Sequence, residues 1–489
     1  MASATLRLSA TAVLLMLTVM AAGCGNGAGA ATVRGTGDAL RSGDCDGIYP
    51  DGTRCAWLRV YENREFRAGR QIELRIAVLP AYGKAAPDPV FFLAGGPGQA
   101  AAVGARIPGL NALRAERDLV LVDQRGTGGS NGLLCDFYGP PGDLSSYFRE
   151  FLPLAQVKAC RQQLERTADL SQYTTAYSVE DLEDVRRALG YQRINLVGGS
   201  YGTRLAMEYV RKYEANVRSV VLEGVAAPAM HMPDRFGELA QRALDALLTE
   251  CEQDPSCRAA FPDVRAAARS VFERLAAGSV QARVTHPRTG QSGEVTVTRN
   301  HVAESLRYMM YSSREASDVP LALARASAGD YQLFAERLLR HRLDGQFEAL
   351  YLSATCTEDV PYVPPDSESH EANTYMAGYR LREQRAACAE WPRGSVPPWL
   401  GKPVQSDVPT LLISGALDPV TPPEMGEMVL AGLTRGRHIV VPSGGHSPAG
   451  LSGADCLTEL RQTFISEGDA AHLDTSCVKQ IRRPGFTGS

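Results

Sequence analysis

The stretch Ile194-Asn195-Leu196-Val197-Gly198-Gly199-Ser200-Tyr201-Gly202-Thr203 decides how the rest of the chain is read. An apolar strand pattern runs into Gly-x-Ser-x-Gly, and a helical pattern starts immediately after it. That layout makes a sharp strand-to-helix turn with Ser200 at its apex, a nucleophile elbow. Gly198 and Gly202 are expected where the backbone approaches its neighbours too closely for a Cβ. The turn places the Ser200 hydroxyl at a helix N-terminus, where free N–H groups and the helix dipole favour a developing oxyanion. With 47 glycines in the chain, the pattern by itself arises easily by chance. Its surroundings carry the reading. Ser178 and Asp181 suggest a capping box, followed by a helical stripe of Leu182, Val185 and Leu189 that ends at Gly190. Leu205, Ala206, Tyr209, Val210 and Tyr213 are spaced as the buried face of a second helix.

Outward from the elbow, short apolar runs mark further strands. Arg54 to Tyr61 and Gln71 to Leu79 come first; Ile72, Leu74, Ile76 and Val78 alternate as in a half-exposed antiparallel hairpin. Val90 to Leu93, Leu119 to Val122, Ile194 to Val197, Val217 to Leu222, Thr410 to Ile413 and His438 to Val441 are continuous apolar runs, as in a sheet buried on both faces. Helical patterns separate several of them, which predicts a mostly parallel α/β sheet. Residues 225–408 break the alternation. Stripes such as Leu239, Ala243, Leu247 and Leu248 predict a large, mainly helical cap inserted over the mouth of the sheet. Val280 to Val284 and Glu294 to Thr298 suggest a small hairpin within it. The core then comprises residues 44–224 and 409–489.

The 489 residues are 44% hydrophobic and 22% charged, with a net charge of −4. That balance gives no basic surface for nucleic acid. No P-loop, Rossmann glycine fingerprint, His-Glu-x-x-His or Cys-x-x-Cys occurs, so neither an organic cofactor nor a metal is expected. Residues 1–23 read as a signal peptide, with Arg7 before an apolar run from Ala10 to Ala22 that is too short to span a bilayer comfortably. Ala21-Ala22-Gly23-Cys24 resembles a bacterial lipobox with Ala21 in place of the usual Leu, and would leave a lipidated Cys24. Simple secretion is the alternative. Residues 24–43 read as a Gly/Ala-rich tether. A cell-surface lipoprotein, touching the membrane only through its lipid, or a secreted protein follows. Beyond Cys24, ten cysteines remain, and an even number in an exported chain points to disulfides. Connectivity is not readable from spacing. The simplest pairing joins sequential neighbours: Cys45 with Cys55, Cys135 with Cys160, Cys251 with Cys257, Cys356 with Cys388, and Cys456 with Cys477.

An activated serine needs a base and an acid that orients the base. Ile413-Ser414-Gly415-Ala416-Leu417-Asp418 ends a strand in a small-residue turn that presents Asp418. Val440-Val441-Pro442-Ser443-Gly444-Gly445-His446 ends the last strand in a glycine-rich loop that presents His446. The order Ser, Asp, His and the strand-end context make Ser200, His446 and Asp418 the expected nucleophile, base and acid. Asp418 before proline also suits a plain turn, and a loop histidine also suits a solvated surface. The oxyanion hole is expected from the N–H groups of Tyr201 and Gly96, the latter in Phe91-Phe92-Leu93-Ala94-Gly95-Gly96-Pro97-Gly98.

Gly95-Gly96-Pro97-Gly98, Asp123-Gln124-Arg125-Gly126-Thr127-Gly128-Gly129-Ser130 and Gly198-Gly199-Ser200-Tyr201-Gly202 together resemble the proline iminopeptidase and tripeptidyl aminopeptidase branch of the α/β-hydrolases. The resemblance runs from about Arg54 to Cys477. It implies a helical cap and hydrolysis of peptides from a free amino terminus. Ala94 stands where iminopeptidases usually carry His, and Glu223 where relatives often have Asp; both weigh against strict proline specificity. The Cys356-Thr357-Glu358-Asp359 segment is similar to a Cys-x-acid segment of these relatives. It implies Glu358 as the carboxylate for the substrate ammonium, with Asp359 and Glu223 as alternates; an exposed acidic turn beside a disulfide is the plain reading. Arg125 is expected in a structural ion pair. The same triad would serve an esterase or lipase, and the fold would suit a non-catalytic binding protein. The peptidase-type glycine motifs argue against the first and the complete Ser, Asp, His set against the second.

Overall fold

The computed structural model describes residues 40–140, 142–345 and 347–489. The expected signal peptide and Cys24 lie outside the described residues. Eleven strands occur among them: β1 (Leu40–Gly43), β2 (Arg54–Tyr61), β3 (Gln71–Leu79), β4 (Val90–Leu93), β5 (Leu119–Val122), β6 (Ile194–Gly199), β7 (Val217–Glu223), β8 (Val280–Thr285), β9 (Ser292–Val297), β10 (Thr410–Gly415) and β11 (Gly436–Val441). Nine form one sheet in the order β1-β2-β3-β5-β4-β6-β7-β10-β11. The pairs β1/β2, β2/β3 and β3/β5 are antiparallel, and every pair from β5 to β11 is parallel. β1 pairs with β2 where the sequence reading had the end of a tether. Its Leu-Arg-Ser-Gly sequence has no apolar alternation, because this edge strand is largely exposed on both faces.

The side-chain period of two, with both faces covered, explains why the central strands are mostly apolar. Phe91, Val120, Leu196, Val220 and Leu412 face one layer, with Val179, Leu182, Leu205 and Tyr209 of the flanking helices. Their neighbours Phe92, Leu121, Val197, Val221 and Ile413 face the other, against Leu457, Leu460 and Phe464 of the helix Asp455–Glu467. Each such side chain contributes about 1.5–3 kcal/mol by leaving water.

The helix before the elbow spans Thr175–Ala188 and is capped by Thr174, whose hydroxyl accepts from the Tyr177 amide. Ser178 is therefore not the cap. It lies one turn inside the helix, its hydroxyl donating to the Thr174 carbonyl at 3.0 Å. Asp181 turns inward instead of capping and accepts two hydrogen bonds from Arg125, of 2.6 and 2.8 Å. Arg125 is the structural arginine the sequence suggested, and it is fully buried.

The segment between β7 and β10 is mainly helical and carries the β8/β9 hairpin. Its apolar faces continue the core of one sheet face without a break. A separate cluster joins Leu133, Phe137, Val157 and Tyr173, from the β5–β6 connection, to Ala349, Leu352 and Trp391 of the cap. The ten cysteines form the five sequential-neighbour disulfides. Cys135–Cys160 and Cys356–Cys388 sit inside that second cluster.

Candidate active site

Parallel registers bring the site to one edge of the sheet. Leu93 aligns with Gly198, Gly199 and Ile413 with Glu223, and Gly415 with Val441. Everything that follows those strand ends therefore projects from the same side.

Ser200 has φ 55° and ψ −126°, a conformation that a side-chain-bearing residue adopts only under constraint. The constraint is visible. The Ser200 amide donates to the Glu223 carbonyl at 2.8 Å. A Cβ on Gly202 would stand 2.0 Å from the Leu93 carbonyl oxygen, and one on Gly198 2.6 Å from that of Gly202. Strand β4 and the helix Tyr201–Tyr213 thus touch backbone to backbone. The Thr203 hydroxyl donates to the Ser200 carbonyl at 2.6 Å and accepts from the Ala226 amide at 2.8 Å, tying the elbow to the chain leaving β7. The glycine loop after β4 lies against the serine: a Cβ on Gly95 would be 3.0 Å from the Ser200 Cβ. Gly96 and Gly98 follow at φ 109° and 114°, and Gly98 packs under Phe347 of the cap.

Asp418 is 2% exposed. Its Oδ1 accepts from the amides of Val420 and Thr421 at 2.8 and 2.9 Å, and its Oδ2 from the Thr421 hydroxyl at 2.8 Å. His446 Nδ1 lies 2.7 Å from Oδ2. Burial pushes the Asp418 carboxyl up, but the nearby His446 and these hydrogen bonds outweigh it and hold the group below its usual range. The His446 ring's hydrogen bonds run through Nδ1, to Asp418 and Thr421, and none reaches Ser200. Ser200 and His446 converge on the end of β7, where a Cβ on Gly224 would be 3.0 Å from His446 Cε1.

The sequence reading missed the cap's hold on the histidine. Tyr311 packs on the His446 ring, centroids 4.9 Å apart. The Ser447 amide donates to the Tyr311 carbonyl at 2.8 Å, and the Ser313 hydroxyl to the Ser443 carbonyl at 2.8 Å. Thr421 was also missed, although its place three residues after Asp418 is the local signal that an aspartate turn offers.

The three acids proposed for the substrate ammonium occupy different places. Glu223 is ion-paired with Arg461 of the last long helix, Nη2 at 3.0 Å from Oε2. Asp359 is paired with Arg204, Nη1 at 2.8 Å from Oδ1; burial pushes its carboxyl up and Arg204 opposes the shift. Glu358 is not an exposed turn residue: it ends the helix Glu348–Glu358 and is 5% exposed. Its Oε1 accepts from the Thr175 amide at 2.6 Å and its Oε2 from the Thr175 hydroxyl at 2.5 Å. That hydroxyl also meets the Tyr201 hydroxyl at 2.6 Å, one residue from Ser200. Burial pushes the Glu358 carboxyl up to about 7, with Thr175 opposing and Asp359 adding to the shift.

The family described as alpha/beta hydrolase fold matches residues 88–450. Among curated relatives, the chain is 28% identical over 166 residues to the putative hydrolase YuaR of Escherichia coli K12, covering 32% of this chain and 31% of that protein. It is 24% identical over 492 residues to the tripeptidyl aminopeptidase of Streptomyces coelicolor, covering 92% and 88%. It is 23% identical over 341 residues to the serine protease Hip1 of Mycobacterium tuberculosis, covering 63% and 62%. The chain thus spans less than two thirds of two of these relatives and most of the third.

Proposed function

The chain belongs to the alpha/beta hydrolase fold family, and from that premise we propose that it is an exported serine exopeptidase that hydrolyses peptides from their free amino terminus. The observation that carries this reading is Ser200, held at positive φ against the Gly95–Gly98 loop, with its amide on the end of β7, where the hydrogen-bonded His446–Asp418 pair packs on Gly224. Whole-length similarity to a tripeptidyl aminopeptidase supports a peptide substrate.

In this mechanism His446 Nε2 takes the Ser200 proton as Oγ attacks the scissile carbonyl carbon. Asp418 holds Nδ1–H, which fixes the tautomer and stabilises the imidazolium. The N–H groups of Tyr201 and Gly96 receive the oxyanion. As the C–N bond breaks, the His446 proton passes to the leaving amine, and Ser200 keeps the acyl group. Water, deprotonated by His446, then releases the amino-terminal fragment and restores the hydroxyl.

Glu358 is the proposed partner of the substrate ammonium. Glu223 and Asp359 already face arginines, whereas Glu358 accepts only neutral donors, and each of its oxygens retains a lone pair. An arriving ammonium would favour its ionised form. The five disulfides suit an oxidising compartment and support export. Cys24 is the proposed lipid attachment site.

A panel of aminoacyl, tripeptidyl and acyl-ester chromogenic substrates, with fluorophosphonate labelling, tests the reading. We expect turnover of free-amine peptidyl substrates and labelling that disappears in Ser200→Ala. Ester turnover without peptide turnover would overturn the peptidase assignment. Labelling that survives in Ser200→Ala would overturn the nucleophile.

A further inference from the structure

Behind Tyr311 the cap interior holds two arginines, Arg307 and Arg380, which are 2% and 3% exposed. Among the described residues neither has an ion-pair partner of its own. Arg307 Nη1 donates to the Tyr311 hydroxyl at 2.6 Å, and its guanidinium otherwise faces the rings of Tyr308, Tyr311 and Phe236. Arg380 Nη2 donates to the Tyr351 hydroxyl at 3.3 Å. Arg307 Nε, Arg380 Nε and Arg380 Nη1 are buried and make no hydrogen bond. Glu304, an acid that feels the Arg380 charge, is engaged directly by a third arginine, Arg342, at 2.7 Å.

A buried guanidinium facing only aromatic rings and neutral hydroxyls is costly, because these do not replace its hydration. Two such groups in one interior, with donors left over, are matched by an anion that accepts from a planar fork, as a carboxylate does. Their position says which part of a substrate would bring it. Arg307 holds the hydroxyl of Tyr311, whose ring packs on His446. Arg380 holds Tyr351, one helical turn after Phe347, whose amide donates to the Gly98 carbonyl at 2.9 Å. Tyr311 and Phe347, which border this interior on the sides of the histidine and the glycine loop, are half-buried and keep some contact with solvent. The histidine gives its proton to the leaving amine, so the leaving part of the substrate passes it.

We propose that Arg307 and Arg380 form a carboxylate-binding subsite on the leaving-group side, reading a carboxylate carried by the part of the peptide that departs with the His446 proton. This rests on the peptidase reading above. The carboxylate is either the carboxy terminus of a short peptide or an acidic side chain beyond the scissile bond.

The test uses the full chain and peptides that share one free amino-terminal sequence and one scissile bond. Their leaving parts end in a free carboxylate, in a carboxamide, or in a carboxamide with an internal Glu or Gln. For the wild type, kcat/KM is expected to be higher by about tenfold or more for acid over amide, or for Glu over Gln. Which pair shows the preference identifies the source. Arg380→Gln and Arg307→Gln should collapse that ratio, and Arg380→Lys should restore part of it. Equal kcat/KM across the wild-type set overturns the subsite and leaves the peptidase reading intact, whatever the variants do. Failure to cleave any member, with Ser200 still labelled by fluorophosphonate, overturns both.

Discussion

Glu358→Gln separates charge from shape at the proposed ammonium contact. Glutamine keeps one carbonyl oxygen for the Thr175 amide, which donates to Oε1 at 2.6 Å in the wild type. Its NH2 group replaces Oε2 and donates to the Thr175 hydroxyl, which can turn its own hydrogen to the Tyr201 hydroxyl 2.6 Å away. The packing survives and the charge is lost. A charge-assisted hydrogen bond to an ammonium is worth about 1.5–3 kcal/mol, so kcat/KM for a free-amine peptide should fall about ten- to a hundredfold. The N-acylated version of the same peptide should be unaffected. In the wild type the advantage of the free amine should grow as pH rises through about 7, where Glu358 ionises, and fade once the substrate amine, with an ordinary pKa of about 8, loses its proton. Folding stability gives a second readout. The carboxyl rises from 4.5 to about 7 on folding, so its contribution is fully present below 4.5 and is lost as pH rises through 7. Glutamine has no such loss. The variant should therefore gain on the wild type between pH 5 and 8, by about 3 kcal/mol at most for a shift of this size. The assays are kcat/KM for the matched peptide pair across pH and urea unfolding at the same pH values. An unchanged ratio between the two peptides refutes the ammonium contact, and an unchanged pH dependence of stability refutes the protonation argument.

Two further outcomes are expected, one from the Asp418 geometry and one from the lipobox-like sequence. Thr421→Val removes the hydroxyl 2.8 Å from Asp418 Oδ2 but leaves both backbone donors on Oδ1, so kcat should drop about three- to tenfold with KM little changed. Asp418 is held below its usual range, so the stability this gives is present above the unfolded value and lost as pH falls through the folded one; Thr421→Val should move that acid limb to higher pH in a kcat and unfolding profile. Cys24→Ser should release the protein from the membrane fraction or leave it unprocessed, read by fractionation and intact mass; a wild-type chain that begins at Ala30 or beyond, without lipid mass, would show plain secretion instead.

What the sequence disclosed about this molecule is what local physics writes into it. A strand buried on both faces is apolar wherever no hydrogen-bond partner waits, so β4 and β5 stand out as unbroken runs and β6 and β10 as runs interrupted only by Asn195, Thr410 and Ser414. A turn with no room for a Cβ must use glycine, so Gly198 and Gly202 flank Ser200. The helix cap was misplaced because Thr174, Thr175 and Ser178 all offer hydroxyls, and only the direction of the incoming chain decides which one caps. Asp181 was misread for a related reason: its spacing suits a capping box, but its partner Arg125 lies 56 residues away. The acid beside Cys356 reads as an exposed turn or a ligand group until the fold brings Thr175 against it. Arg307 and Arg380 gave no sequence signal, since arginines on amphipathic helices ordinarily face water.

The cap's hold on His446 has the same long-range character. His446 sits in a loop whose residues Gly444 and Gly445 give no side-chain packing of their own. Two elements hold it instead. From the sheet side, Asp418 fixes Nδ1 and Gly224 closes against Cε1. From the cap side, residues 310–314 meet the loop backbone: a Cβ on Gly445 would be 2.6 Å from the Met310 carbonyl, Ser447 donates to Tyr311, and Ser313 donates to Ser443. These are mostly backbone contacts, which side-chain substitution cannot easily loosen. A cap displaced as a whole would carry the histidine loop with it and break its alignment with Asp418. Among the described residues, the backbone tie of the cap to the Gly95–Gly98 loop is the Phe347–Gly98 hydrogen bond of 2.9 Å, fewer contacts than hold residues 310–314 to the histidine loop.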